Sequence, residues 1–178
     1  MSKAPITNII FGTMTLGYRG YGARVHDAAT ADAMLGAVLE FGHDQLDTCS
    51  VYGGAFGKNF AGSAAVAAGS RFDNSTAQGK FYRDRYWNDA YFDALAEIHR
   101  SCEGRLDAIS VALRWLIHHS QLNAERNDGI IIGASSLEHL RHNLTAVTEG
   151  PLPTEVLAAI DDAALKAQPK WPPYFSGV

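Results

Sequence analysis

Apolar residues recur along this chain in two rhythms: short unbroken runs, and longer stretches in which they return every three or four positions. Ile6 to Phe11 is a short β-branched run closed by Gly12. It predicts a strand feeding the loop Gly17-Tyr18-Arg19-Gly20-Tyr21-Gly22. Asp27 is placed to cap a helix whose Met34, Leu35, Val38 and Leu39 share a face, with Gly42 as its stop. Gln45 to Thr48 predicts the next strand. A β-α-β opening of this kind gives parallel strands joined by a right-handed crossover.

From Gly53 to Lys80 the rhythm dissolves into Gly, Ala, Ser and Asn, which reads as a loop with a short helix over Phe60 to Ala68. Asn88 then caps a helix with Tyr91, Phe92, Leu95 and Ile98 in helical spacing. Asp107 to His119 carries apolar residues around most of its circumference (Ile109, Val111, Leu113, Trp115, Leu116 and Ile117), which predicts a largely buried helix. Gly129-Ile130-Ile131-Ile132-Gly133 reads as an apolar strand of the kind buried on both faces of a parallel sheet. Ser135 to Val147 follows as a helix with Leu137, Leu140, Leu144 and Val147 inward, and Pro153 opens a last helix with Val156, Leu157 and Ile160. The tail Trp171-Pro172-Pro173-Tyr174-Phe175 predicts an extended arm. No internal repeat is visible.

Composition narrows the picture. The 178 residues, 47% apolar, suffice for a real core in one domain. The net charge of -4 comes without any basic run, which argues against nucleic acid or an anionic membrane as partner. No apolar run approaches the roughly 18 residues of a spanning helix, so the expected compartment is the cytoplasm. Cys49 and Cys102 are too few and too far apart for a metal motif, and are expected to be free buried thiols. No metal site is expected.

Two places carry candidate chemistry. Leu46-Asp47-Thr48-Cys49-Ser50-Val51-Tyr52-Gly53 delivers a carboxylate at the end of a strand and a phenol five residues later, in the loop that follows. On the C-terminal side of a β/α scaffold that is where catalytic groups sit. Downstream, a strand ending at Gly133 runs into Ser135-Ser136 at a helix start. There free N–H groups and the positive end of the helix dipole suit a phosphate. The same Ser135-Ser136-Leu137-Glu138 also spells a capping box, which needs no ligand. Arg83, Arg85 and Arg114 offer charge to an anion or serve as ion-pair partners around Trp87 and Trp115. His118 and His119 end a buried helix, where packing and capping are the expected roles.

Several ordered pieces give the chain a likeness. They are Phe11-Gly12-Thr13-Met14, Leu46-Asp47-Thr48 with Tyr52-Gly53, Gly69-Ser70-Arg71-Phe72, and Tyr82-Arg83-Asp84-Arg85-Tyr86-Trp87. Leu113-Arg114-Trp115 with His118-His119-Ser120, Gly133-Ala134-Ser135-Ser136 with Asn143-Leu144, and Glu149-Gly150-Pro151-Leu152 complete the set. In this order and spacing the chain resembles the aldo-keto reductases, and among them the aflatoxin-aldehyde reductase type. The resemblance implies an α/β fold, a (β/α)8 TIM barrel. Such barrels need about 250 residues. The match jumps between about Gly54 and Gly62 from the second strand to the region after the seventh, leaving strands three to seven without counterparts. What is implied is an incomplete barrel of about three parallel strands, in the order 8-1-2 of the parent, flanked by helices. Its parts are an opening β-α-β over 1–53, a glycine-rich junction over 54–80, helices and the last strand over 81–168, and a tail over 169–178. Three parallel strands cannot close, so the chain is expected to self-associate through the open edges, two copies meeting edge to edge or swapping elements.

The resemblance also implies chemistry: NADP(H) as cofactor, a small-molecule carbonyl compound as substrate, and a setting in secondary metabolism. Tyr52 matches the family's proton donor and Asp47 its aspartate at the nicotinamide end. Gly62 falls in a remnant of the loop along the cofactor pyrophosphate. Ser135, with Ser136 beside it, and His139 match positions at the adenosine 2′-phosphate, and His142 with Asn143 match positions at the adenine. The family's lysine between aspartate and phenol, and its histidine beside the substrate, have no counterpart at a matching position. An anionic Asp47 near Tyr52 without that cation pushes the phenol pKa up. Other roles therefore compete with reduction: a non-catalytic nucleotide- or partner-binding remnant, or a cyclase or dehydratase using Asp47 and Tyr52 without hydride transfer.

Overall fold

The computed structural model describes residues 8–17, 23–48, 72–75 and 77–172. Tyr52, Gly62, Cys49 and the expected helix over Phe60 to Ala68 lie outside them, as does the end of the tail. By their internal contacts the residues fall into two units, Met1–Gly57 with Ala108–Leu152, and Lys58–Asp107 with Pro153–Val178.

The first unit is built on a parallel sheet. Among the described residues it has three strands, β1 (Ile9–Gly12), β2 (Gln45–Asp47) and β3 (Ile130–Ile132), in the order β2-β1-β3. Register pairs Ile9 with Ile130 and Phe11 with Ile132 on one side of β1, and Phe11 with Leu46 and Gly12 with Asp47 on the other. Because successive side chains alternate between faces, Ile9, Phe11, Ile130 and Ile132 share one face. That face is buried against α1 (Ala28–Glu40), α4 (Ala108–His118) and α5 (Leu137–Val147) through Met34, Ala37, Val38, Leu113, Ile117, Leu140 and Leu144. Phe11, Met34, Ile117, Leu140 and Leu144 are each almost wholly removed from solvent. Truncating such a side chain to Ala costs about 2 to 5 kcal/mol.

The caps follow the sequence. Asp27 Oδ1 accepts the Thr30 N–H at 2.7 Å to start α1. Gly42, one residue past the C-cap Phe41, sits at φ +83°, the left-handed conformation that glycine reaches without strain and that ends a helix.

Three readings of the pattern need correction. The triple isoleucine is not buried on both faces: Ile130 and Ile132 are buried, whereas Ile131, on the opposite face of β3, is 58% exposed. The circumference of α4 is not uniformly buried either. Val111, Leu113 and Ile117 are inside with Ser110, whereas Ile109 is exposed. In α1, Leu39 is 65% exposed, because it follows Val38 directly and the helix turns it away from the face that carries Met34, Ala37 and Val38.

The second unit contains α2 (Ala77–Tyr86), α3 (Asp89–Ser101) and α6 (Thr154–Ala167). Asn88 caps α3, its Oδ1 accepting the Tyr91 N–H at 3.2 Å. Ala94, Ala163 and Ala167 with Ile98 form a small-residue seam between α3 and α6, and Lys166 pairs with Glu97 at 2.7 Å. The buried thiol of Cys102 follows α3 and is free.

Helix α2 corrects the loop expected up to Lys80, since it begins at Ala77. It carries aromatic and arginine side chains in place of an aliphatic stripe. Phe72 meets Trp87 edge-on at 5.3 Å and Tyr82 at 6.2 Å, and Tyr86 meets Tyr91 at 6.0 Å. Arg83 donates to the Phe72 carbonyl at 2.6 Å while its guanidinium lies 4.3 Å from the Trp87 ring, a cation–π contact. Gly79 is required by close approach, because a Cβ there would fall 1.8 Å from the Asp73 carbonyl oxygen.

Candidate functional site

Parallel strands bring their C-terminal ends to one edge of the sheet, and in this chain Gly12, Asp47 and Ile132, the last residues of β1, β2 and β3, stand at that edge. Two threonines just past β1 tie the three ends together. Thr13 Oγ1 donates to the Asp47 carbonyl at 2.9 Å, fixing the end of β2. Thr15, itself buried, donates through Oγ1 to the Ala134 carbonyl and fixes the residue that leaves β3. Sequence reasoning did not single out either hydroxyl. The signal was there, in two threonines flanking Met14 immediately after a strand that ends in glycine.

The turn from β3 to α5 is held from the other side by Asn143. Its Nδ2 donates to the Gly133 carbonyl at 3.2 Å. The residue is only 8% exposed, and its Oδ1 is buried with no hydrogen-bond partner among the described residues. An orphaned buried acceptor costs about 1 to 3 kcal/mol.

Ser136 is the true N-cap of α5. Its Oγ accepts the His139 N–H at 3.2 Å, from extended backbone at φ −156°. The capping box expected from Ser135 and Glu138 therefore does not form: the N-cap lies one residue on, and the residue three after it is His139, not Glu. That shift frees the Ser135 hydroxyl from capping, and it lies 3.0 Å from His139 Nδ1. Glu138 stands in the first turn and His142 one turn on, both exposed. The structure thus brings together Ser135, Ser136, His139 and Asn143, with His142 on the same helix. Asp47 is partly buried at the end of β2, and its backbone is anchored on Thr13. Among the described residues no group of three or more His, Cys, Asp or Glu could hold a metal ion. No helix there is long and apolar enough to cross a membrane.

The arginines and the paired histidines have other occupations. Arg114 donates to the carbonyls of Gly150 at 2.7 Å and Pro151 at 2.8 Å and pairs with Glu149 at 2.9 Å. His118 Nε2 lies 2.8 Å from the Glu149 carbonyl, and His119 Nε2 accepts the Leu152 N–H at 3.0 Å. These three side chains of the α4 region latch the segment Glu149–Leu152. Burial, the His118 ring and the Arg114 guanidinium all hold the His119 imidazole below its ordinary pKa, which suits a ring nitrogen that must accept. Arg85 stacks on Phe81 at 4.7 Å.

A parallel sheet whose third strand enters a helix through a serine-capped turn defines a protein of the parallel α/β class. The aldo/keto reductase family model matches residues 55–165, more than half of the chain, and the chain belongs to that family. Its relatives include the aldo-keto reductase pigE of Monascus ruber, 44% identical over 110 residues, which are 60% of this chain and 32% of that protein. Aflatoxin B1 aldehyde reductase member 2 of Mus musculus is 39% identical over 112 residues, 60% of this chain and 30% of the relative. Aldo-keto reductase family 7 member A3 of Homo sapiens is 38% identical over 112 residues, 60% of this chain and 33% of its own length. The matched part spans about a third of the length of these curated relatives.

Proposed function

We propose that the chain binds NADP(H) by its adenosine end at the β3–α5 turn and serves a carbonyl-reducing oxidoreductase. Asn143 carries this reading: its buried Oδ1 lacks a donor, and the exocyclic amine of adenine is a donor of the right kind. Ser135, Ser136 and the α5 N-terminus supply N–H and O–H groups for the 2′-phosphate, and the His139 imidazole stands beside them, 3.0 Å from the Ser135 hydroxyl. Glu138 in the same turn opposes part of that field. In this reading the three strands correspond to the eighth, first and second of a (β/α)8 barrel, and the observed order β2-β1-β3 supports that correspondence.

Bound NADPH supplies hydride to a carbonyl carbon. The chain's own part is to hold the carbonyl oxygen where the Tyr52 phenol can give it a proton, completing the alcohol, with the phenol reprotonated from water. Asp47 stands at the nicotinamide end and Gly62 along the pyrophosphate. The substrate is a small-molecule aldehyde or ketone, and the cytoplasm is the proposed setting. A second copy of the chain, met through the open sheet edges, is the proposed partner. A second reading, binding without turnover, is favoured by the lack of a lysine or histidine at the family's matching positions.

The test is a fluorescence titration of NADPH against the pure protein and against Ser135→Ala and Asn143→Leu. Saturable binding by the wild type, weakened about tenfold in each variant, supports the site. Oxidation of the bound cofactor by an aromatic aldehyde, lost in Tyr52→Phe, supports reduction. Tight binding with no oxidation supports the second reading.

A further inference from the structure

We propose that Thr15 is a positioning residue for the phosphate end of this site, acting through the Ser135 backbone amide. This rests on the nucleotide-binding reading and goes beyond it, because Thr15 belongs to the turn after β1 and no reading of the sequence placed it at the nucleotide.

The argument is one of peptide geometry. No peptide bond among the described residues is cis. In a trans peptide the C=O of one residue and the N–H of the next are antiparallel within one plane. Whatever holds the Gly133 carbonyl therefore also aims the Ala134 N–H, and whatever holds the Ala134 carbonyl aims the Ser135 N–H. Asn143 Nδ2 holds the first and Thr15 Oγ1 the second. Two successive peptide planes are clamped by side chains from different elements, α5 on one side and the turn after β1 on the other. The Ser135 N–H is left pointing away from Thr15.

Both clamping side chains are buried, as is Ala134, so water does not substitute easily for either bond. Thr15 is itself braced, since its own carbonyl accepts the backbone N–H groups of Arg24 at 2.7 Å and Val25 at 3.0 Å. A donor that must meet an anion gains from being fixed in advance, because no ordering is then needed on binding. The Asn143 Oδ1, buried and without a donor among the described residues, independently marks the same turn as ligand-directed.

The experiment uses two ligands that differ only in the 2′-phosphate, adenosine 2′,5′-bisphosphate and adenosine 5′-monophosphate, with Thr15→Val and Thr15→Ser. Valine keeps the shape and removes the hydroxyl, whereas serine restores it. Thr15→Val is expected to weaken the bisphosphate about tenfold and leave the monophosphate unchanged, and Thr15→Ser to bind both like the wild type. The amide resonance of Ser135 should move in Thr15→Val and not in Thr15→Ser. Equal loss of both ligands would show a merely structural role. Wild-type selectivity in Thr15→Val would overturn the proposal while leaving the nucleotide site standing. If the wild type binds neither bisphosphate nor NADPH, the nucleotide reading falls and this role falls with it.

Discussion

Asn143 is the residue at which packing and binding are hardest to separate, and substitutions there sort the two. Replacing it by Asp sets a carboxylate against the Gly133 carbonyl where an amide now donates. The expected outcome is a loss of stability of about 3 kcal/mol or more, read as a lowered denaturation midpoint, because a buried charge is left beside an acceptor. Asn143→Leu loses the bond but also removes the orphaned acceptor, so it should cost less than the aspartate. Gly79 makes a second residue-scale case. A methyl group added there collides with the Asp73 backbone, which is not a flexible side-chain end that can give way. Gly79→Ala is therefore expected to destabilise the second unit by roughly 2 kcal/mol or more and to speed limited proteolysis around α2, with no gain from helix propensity.

Among the elements, α4 with its latch on Glu149–Leu152 makes the clearest pH prediction. His119 accepts a backbone N–H, and its pKa is lowered in the fold relative to the 6.5 of a free imidazole. The unfolded chain then binds more protons than the folded one in the window below 6.5. Stability from this group is complete above that window and is lost as pH falls through the folded value. His43, also lowered by burial, adds in the same direction. Urea midpoints should fall between about pH 7.5 and about pH 5.5, and fall less in His119→Gln. An equal fall in the variant would remove His119 from the account.

The elements differ in how plainly the sequence announced them. Helices α1, α3, α5 and α6 were legible because each joins an apolar stripe to a capping residue or an N-terminal proline. Helix α2 was not, because rings and guanidinium groups carry its contacts and leave no aliphatic period to read. The exposure of Ile131 was hidden for another reason: three isoleucines look alike whether a second layer covers them or not. In the site, the strand–serine–helix grammar was visible, and so were Ser135, Ser136, His139 and Asn143. The threonine ties were not, since a hydroxyl that bonds to a carbonyl 119 positions away leaves no local pattern.

For the whole molecule, the feature with the largest consequence is that β1 is the central strand, with β2 and β3 as flanks. Leu46, in register with the fully buried Phe11, is 50% exposed on the flanking strand β2. Apolar side chains on outer strands favour association with another sheet. Sedimentation at micromolar concentration should show a dimer or larger species, and Leu46→Lys should shift it toward the monomer. A wild type that sediments as a monomer throughout would contradict the proposed partner. Every functional step proposed above depends on an adenosine-phosphate site at the β3–α5 turn. Its most direct test is competition: NADPH fluorescence enhanced on binding, then reversed by adenosine 2′,5′-bisphosphate. Full displacement by the bisphosphate, with adenosine 5′-monophosphate about tenfold weaker, is the predicted result. NADPH that fails to bind, or that nicotinamide mononucleotide displaces and the bisphosphate does not, would contradict it.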